Sequence, residues 1–361
     1  MDPELISVVQ RFLVSEVTDI RPLPGGHIHD SYIVTAASGG LVRRYVLQRL
    51  NQTVFADVDA LMENVQRVIG HIRQRLHESG GPDRRCRGLS LVPLSAACNV
   101  FLCRHDDECW RMFEFIEGTR TLHEVRSAAD AERLGRAFGE FHDLMADLPP
   151  PPLHETIPRF HDTPWRLTRF EQSVAADVCG RAGDVRAEID FIRAHAGLAP
   201  LLVQANVPQR VVHNDAKIGN VLFDESTGDV LCVVDLDTVM PGTILFDFGD
   251  MVRSGVCTAA EDETDLARVE VDLSLFEALT RGYLGAAGSL LTATERDHLV
   301  TAGKVIVFEQ AVRYLTDFLE GDRYYKTSRP GHNLDRCRNQ TKLVESLTQH
   351  EREPTRIVQH L

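Results

Sequence analysis

The chain predicts an α+β fold in two lobes, small and mainly β at the N-terminus, large and mainly α at the C-terminus. Three observations predict it. Short strand-like runs punctuated by Gly and Pro fill much of the first 117 residues, around one long amphipathic segment. From residue 118 onward apolar residues recur mainly at helical spacing. Between those helical stretches, residues 211–235 read strand–loop–strand and carry His213, Asp215, Asn220 and Asp235. The expected division is therefore 1–117 and 118–361.

The elements follow in order. Residues 5–15 have an amphipathic pattern and are expected to form a short helix, with a strand at 18–23. Pro24-Gly25-Gly26-His27 makes a turn before a second strand at 30–35, and Gly39-Gly40 turns the chain into a third at 45–50. A helix from 57 to 77 carries Leu61, Val65, Val68, Ile69 and Ile72 on one face. Two strands follow near 98–104 and 110–116. A helix over 130–147 aligns Leu134, Phe138, Phe141 and Met145. The run Pro149 to Pro152 ends it, because proline lacks the donor and clashes within a helix. Further helices are expected at 163–179, 184–204, 268–285, 293–319 and 334–350.

Chemistry concentrates in Val211-Val212-His213-Asn214-Asp215-Ala216-Lys217-Ile218-Gly219-Asn220-Val221-Leu222-Phe223-Asp224. The spacing His-x-Asp-x-x-x-x-Asn, with a later hydrophobic strand ending in Asp235, is that of a kinase catalytic loop and metal strand. Transfer from ATP needs one carboxylate to orient a hydroxyl and an Asn plus an Asp to hold magnesium. Asp215 is the candidate base, and Asn220 and Asp235 the candidate metal ligands, both offering the oxygens magnesium prefers. With the strand-rich first lobe, this makes the fold protein-kinase-like. His213 is expected to pack under the loop and bond backbone. Asp237, two residues after Asp235, is a candidate supporting or substrate group. Asp247, within Phe246-Asp247-Phe248-Gly249, comes too late to be the metal Asp and is expected to brace the loop through backbone hydrogen bonds.

The nucleotide side is read from the first lobe. Gly25-Gly26 suits a turn whose amides approach phosphates, or a plain turn. Arg111-Met112-Phe113-Glu114-Phe115-Ile116-Glu117-Gly118 reads as a hinge, with the Glu114 carbonyl and Ile116 amide facing adenine. The third strand lacks the Lys that usually meets the phosphates. Val46-Leu47-Gln48-Arg49 puts Gln48 there, so either Gln48 bonds phosphate or Arg49 or a neighbour supplies the charge. Glu63 stands as the possible partner of that position or as a solvated carboxylate.

A net charge of −14 argues against general nucleic-acid binding by phosphate neutralisation. The basic cluster Arg84-Arg85-Cys86-Arg87 reads as a solvated loop. Eight cysteines without a Cys-x-x-Cys spacing are expected to be free thiols in a reducing compartment. Cys98, Cys103, His105 and Cys109 match no common zinc spacing. No membrane-length apolar run and no basic leader are evident, so the expectation is a cytoplasmic protein that engages neither membrane nor nucleic acid.

Several segments resemble the aminoglycoside phosphotransferase and choline kinase superfamily, and within it the bacterial N-acetylhexosamine 1-kinases. They are Gly26 to Tyr32, Val46 to Asn51, Leu61 to Val65, His213 to Asp224, Asp235 to Arg253, Phe318 to Tyr325 and Gly331 to Arg338. The resemblance implies MgATP-dependent phosphorylation of the anomeric hydroxyl of N-acetylglucosamine or N-acetylgalactosamine. It implies sugar contacts at His27, Asp215, Arg313 and Tyr324. His29 replaces an expected Asn, and Gly219 an expected polar residue, which leaves the sugar open. Other acceptors stay in view: an aminoglycoside, choline or homoserine; a cationic one would need a carboxylate-lined pocket, for which Glu261-Asp262-Glu263 and Asp265 offer themselves, although a solvated loop explains that run more simply. So does a non-catalytic binding module, favoured only by the missing Lys.

Overall fold

The structure is a computed structural model that describes residues 2–12, 15–24, 28–78, 88–95 and 99–361. Gly25, Gly26 and His27 lie outside the described residues, as do Cys86, Cys98 and the basic cluster.

Helix α1 (Pro3–Phe12) lays Val8, Val9 and Phe12 onto a sheet. The strands are β1 (Glu16–Pro22), β2 (Asp30–Ser38), β3 (Leu41–Arg49), β4 (Cys103–His105) and β5 (Glu108–Glu114). They pair antiparallel in the order β1-β2-β3-β5-β4. Helix α2 (Val58–Glu78) runs between β3 and β4, its Leu61, Met62, Val65, Val68 and Ile69 buried at the helical spacing the sequence shows. The strand expected at 98–104 is shorter and later, because only Cys103 to His105 find a partner on β5.

Beyond the sheet come β6 (Thr119–Thr121), α3 (Ala128–Met145), α4 (Thr163–Ala176), α5 (Arg186–Ala194) and α6 (Leu201–Gln204). The segment around Asp215 follows as β7 (Arg210–Val212), β8 (Val221–Asp224), β9 (Val230–Val233) and β10 (Met240–Gly242). The chain closes with α7 (Ile244–Gly255), α8 (Leu273–Ala287), α9 (Ala293–Asp297), α10 (Leu299–Leu319), α11 (His332–Gln349) and α12 (Arg352–His360). This is the protein-kinase-like α+β architecture, with a β N-terminal region and a helical C-terminal one.

Two expected helices are broken. Residues 184–204 form α5 and α6 separated by a 3₁₀ turn at Ala196–Leu198. Gly197 and Pro200 lie in the break, where glycine loosens the backbone and proline removes a donor. Residues 293–319 divide at His298, which ends α9 and begins α10. The proline run is held to α2: Arg67 donates to the carbonyls of Pro149 at 2.8 Å and Pro151 at 2.5 Å.

Helices α3 and α8 pack backbone against backbone. A Cβ on Gly135 would meet the Leu279 carbonyl at 2.1 Å, and one on Gly282 the Glu132 carbonyl at 2.0 Å. Gly282→Ala is therefore expected to destabilise by about 1–3 kcal/mol or more through overpacking. Its thermal midpoint should fall by several degrees; an unchanged midpoint would show that the two helices part freely.

Candidate functional site

The candidate catalytic loop follows β7, which pairs with β10 so that Val212 faces Met240. His213 is fully buried, edge-on to Phe138 at 5.3 Å and Phe141 at 5.6 Å. Its Nδ1 accepts the Asp215 amide at 3.3 Å, so Nε2 carries the proton and donates to the Val234 carbonyl at 3.0 Å. Asp247, in the first turn of α7, takes the amides of His213 at 2.7 Å and Asn214 at 2.6 Å, and His142 Nε2 at 2.7 Å. The bracing expected of it is what its carboxylate does. Asn214 stands at a positive φ of 64° and donates from its side chain to the Thr238 carbonyl at 2.9 Å.

On that scaffold Asp215 is only partly covered. Its Oδ2 accepts Lys217 Nζ at 2.8 Å and Asn220 Nδ2 at 2.9 Å. Burial opposes its charge, but the Lys217 ammonium, His213 and Asn220 together outweigh burial and hold the carboxyl well below the usual carboxylate range. Lys217 is itself held above its ordinary range: burial opposes its charge, and Asp215 and Asp235 overcome that. Asn220 spends its amide nitrogen on Asp215, on the backbone carbonyl at 2.8 Å as well as the carboxylate. Its carbonyl oxygen is thereby turned to the other side.

Asp235 follows β9 at a positive φ of 62°, a conformation Asp tolerates better than most residues. Its carboxylate is exposed and takes no hydrogen bond among the described residues. The protein mass around it, then Asp237 and Asp215, raise its carboxyl above the ordinary value. Asn220 Oδ1 and the Asp235 carboxylate are hard oxygen donors and fit magnesium. Among the described residues no cluster of three or more His, Cys, Asp or Glu is arranged for a metal; magnesium held by two protein oxygens would fill its shell with phosphate and water oxygens.

Asp237 is buried and turned toward the sheet. Arg111 forks onto it, with Nη2 to Oδ2 at 2.6 Å, and His29 Nε2 meets the same oxygen at 2.6 Å. The backbone carbonyl of Asp237 accepts the Thr156 hydroxyl at 2.8 Å. Arg111 lies directly across from Gln48 in the β3–β5 ladder, and its Nε donates to Gln48 Oε1 at 2.9 Å. Arg49 faces away, as strand alternation requires. It pairs with Asp30 at 2.5 Å and Glu108 at 3.5 Å, beside the Trp110 ring. Of the two candidates on β3, the structure brings Gln48 and not Arg49 to the Asp237 side. Glu63 does not approach Gln48 either; it bonds His154 at 3.0 Å, both roughly half exposed.

At the hinge, the Glu114 amide donates to the Ser90 carbonyl at 2.8 Å and the Ile116 carbonyl accepts the Thr119 hydroxyl at 2.7 Å. The Glu114 carbonyl and Ile116 amide stand outside these contacts.

On the helical side, Glu309 and Arg313 share a face of α10 one turn apart. Glu309 accepts His161 Nδ1 at 2.8 Å, and His161 Nε2 donates to the Asn214 carbonyl at 3.0 Å. That chain ties the Arg313 turn to the residue preceding Asp215. Arg313 lies 4.9 Å from the Phe160 ring, 5.7 Å from Tyr325 and 5.9 Å from Tyr324, and donates to Gln310 at 3.2 Å. Tyr324 makes a T-shaped pair with Tyr325 and is 46% exposed.

Lys217, Arg111 and His161 belong to the site without having been singled out by the sequence. Lys217 carries a local signal, a lone cation two residues past Asp215. Arg111 carries a weaker one, a charge inside an apolar strand. His161 carries none, since its partners are remote.

A model of the phosphotransferase enzyme family designated APH matches residues 19–284. The chain belongs to this family. The APH chain is therefore an ATP-dependent phosphotransferase with a hydroxyl group as acceptor. Solved structures share its fold. An aminoglycoside phosphotransferase from Alicyclobacillus acidocaldarius is 14% identical, covering 100% of this chain and 97% of that one, with a TM-score of 0.63. A spectinomycin phosphotransferase in complex with ADP and spectinomycin is 13% identical, over 96% and 98% of the two chains, at 0.58. A microcompartment-associated aminopropanol kinase is 15% identical, over 97% and 98%, at 0.55. Among the described residues no helix is long and apolar enough to cross a membrane. The six described cysteines are free.

Proposed function

We propose that this APH-family protein transfers the γ-phosphoryl group of MgATP to the anomeric hydroxyl of an N-acetylhexosamine in the cytoplasm. Residues 1–117 would hold the nucleotide and 118–361 the acceptor. Asp215 accepts the acceptor's proton and, before that, aligns its oxygen. Asn220 and Asp235 would hold magnesium, which when bound neutralises phosphate oxygens. Gln48 and Gly25-Gly26 would meet the phosphates, and the Glu114 carbonyl and Ile116 amide would meet adenine. Lys217, beside Asp215, is placed to meet the transferred group. Arg313, Tyr324 and His27 contact the sugar.

The observation that supports a neutral sugar over a cationic acceptor is that the acidic run is already paired. Glu261 is bound by Arg253, Asp262 by His332 at 3.0 Å and Arg329 at 3.6 Å, and Glu263 by Arg268. Asp265 caps the following turn through the Ala267 amide. An ammonium ligand would have to displace those partners. Arg313 offers instead a planar cation, which repels an amine and suits hydroxyl and amide oxygens, and the ring faces that would attract an ammonium already hold its guanidinium. An anomeric hydroxyl is also more acidic than an ordinary alcohol, so a strongly ionised Asp215 suffices as base. The deciding experiment is turnover with a panel of N-acetylhexosamines, hexoses, choline, homoserine and aminoglycosides, with product structure by phosphorus and proton NMR. A sugar 1-phosphate is expected. A 6-phosphate, or turnover only with a cationic acceptor, would overturn the substrate while leaving the kinase.

Arg313→Ala is expected to raise the acceptor KM and spare the ATP KM. A change confined to thermal stability would instead make Arg313 a structural partner of the tyrosines. Asp235→Ala is expected to raise the magnesium requirement more than Asn220→Ala, since it removes a full charge and not a dipole. Unchanged magnesium titrations in both would remove the metal assignment.

A further inference from the structure

The phosphate-binding Lys that β3 lacks is not replaced on β3. We propose that Arg111, on the neighbouring strand β5, is a positioning residue for the nucleotide phosphates, acting through Gln48 and Asp237. The inference rests on the kinase reading of the site.

Arg111 is 2% exposed and so does not itself reach a ligand. A guanidinium only donates, so its Nε at 2.9 Å compels the Gln48 amide to present oxygen inward. The NH₂ then points the other way, where it donates to the Ser31 hydroxyl at 3.1 Å. The amide has a second N–H to give, and Gln48 is only partly buried. A cation on the amide oxygen polarises the group and strengthens its N–H as a donor. Phosphate oxygens are thus offered an oriented neutral donor with a positive charge one group behind it.

The other end of Arg111 does a second job. Its fork onto Asp237 spans the sheet and the short turn Leu236–Thr238 that begins at Asp235. His29 and Thr156 complete that anchor. In a kinase of the ordinary type a β3 Lys pairs with a Glu on the following helix. Here the corresponding Glu63 is engaged with His154, and the buried ion pair runs from β5 to the metal turn. One side chain therefore fixes both the donor facing the phosphates and the carboxylate facing magnesium.

The test uses the full-length protein and a non-hydrolysable MgATP analogue, with Kd by calorimetry and the melting temperature measured alongside. Gln48→Glu gives Arg111 a carboxylate to pair with, so the fold is kept or stabilised, but sets a negative charge before the phosphates. The analogue's Kd is expected to rise by about 100-fold or more, the scale of a lost hydrogen bond to a charged group with repulsion added. Arg111→Lys keeps a charge for Asp237 and loses the Nε contact to Gln48; a rise of about 10-fold is expected, with acceptor KM unchanged. A wild-type-like Kd in Arg111→Lys would overturn the role of Arg111, one in Gln48→Glu would overturn its action through Gln48, and a Kd change that merely follows a fall in melting temperature would overturn both. If the unmutated protein fails to bind the analogue, the kinase reading falls with it.

Discussion

Asp215→Asn is expected to fold, to bind ATP and to lose turnover by about 10²–10⁴-fold, the usual scale of general-base assistance. The substitution keeps the shape of the side chain and one acceptor oxygen, so Asn220 and Lys217 can still find it. It removes the charge that aligns and finally takes the hydroxyl proton. Because Lys217, His213 and Asn220 together hold the carboxyl of Asp215 well below its ordinary range against burial, it stays ionised through mildly acidic pH. A fall in rate at such pH is therefore not expected from Asp215 itself. Steady-state and single-turnover rates with saturating MgATP and acceptor check this, and near-wild-type turnover would take Asp215 out of the mechanism.

Asp247→Ala should cost the fold as well as the activity. Asp247 is fully buried and is the acceptor for two consecutive loop amides and for His142. Truncation strands all three donors away from water, each worth about 1–3 kcal/mol when left unpaired. Relaxation recovers part, so a net loss of about 3–5 kcal/mol is expected, the scale found when one member of a buried charged network is removed. Denaturant unfolding followed by fluorescence measures it. Asp247→Asn should lose less stability, since an amide oxygen still accepts one loop amide. Midpoints unchanged in Asp247→Ala would mean that the loop holds its shape without this carboxylate.

The contacts around Asp215 are short-range along the chain, which is why its meeting with Asn220 was legible in the sequence. Asn220 reaches Asp215 over a separation of 5 residues and Lys217 over 2, so residue type and spacing nearly dictate the geometry. The amphipathic helices α2 and α3 were legible for the same reason, since one face is set by a local period. The fold class followed from the order of those elements.

What tertiary structure decided lies across long separations. Arg111 and Asp237 are 126 residues apart, and His161 and Glu309 are 148 apart. No local pattern states that such pairs meet; strand registry and helix packing do. Gln48 and Arg49 looked equally eligible along the chain, and only the β3–β5 ladder turned Gln48 to Arg111 and left Arg49 with Asp30. Glu63 had the right place on α2 but the wrong neighbour, His154 from the far side of the proline run. The acidic run read as a possible pocket because charge is visible in sequence and neutralisation is not. Its partners Arg253, His332 and Arg329 come from other elements, which only the folded chain brings together.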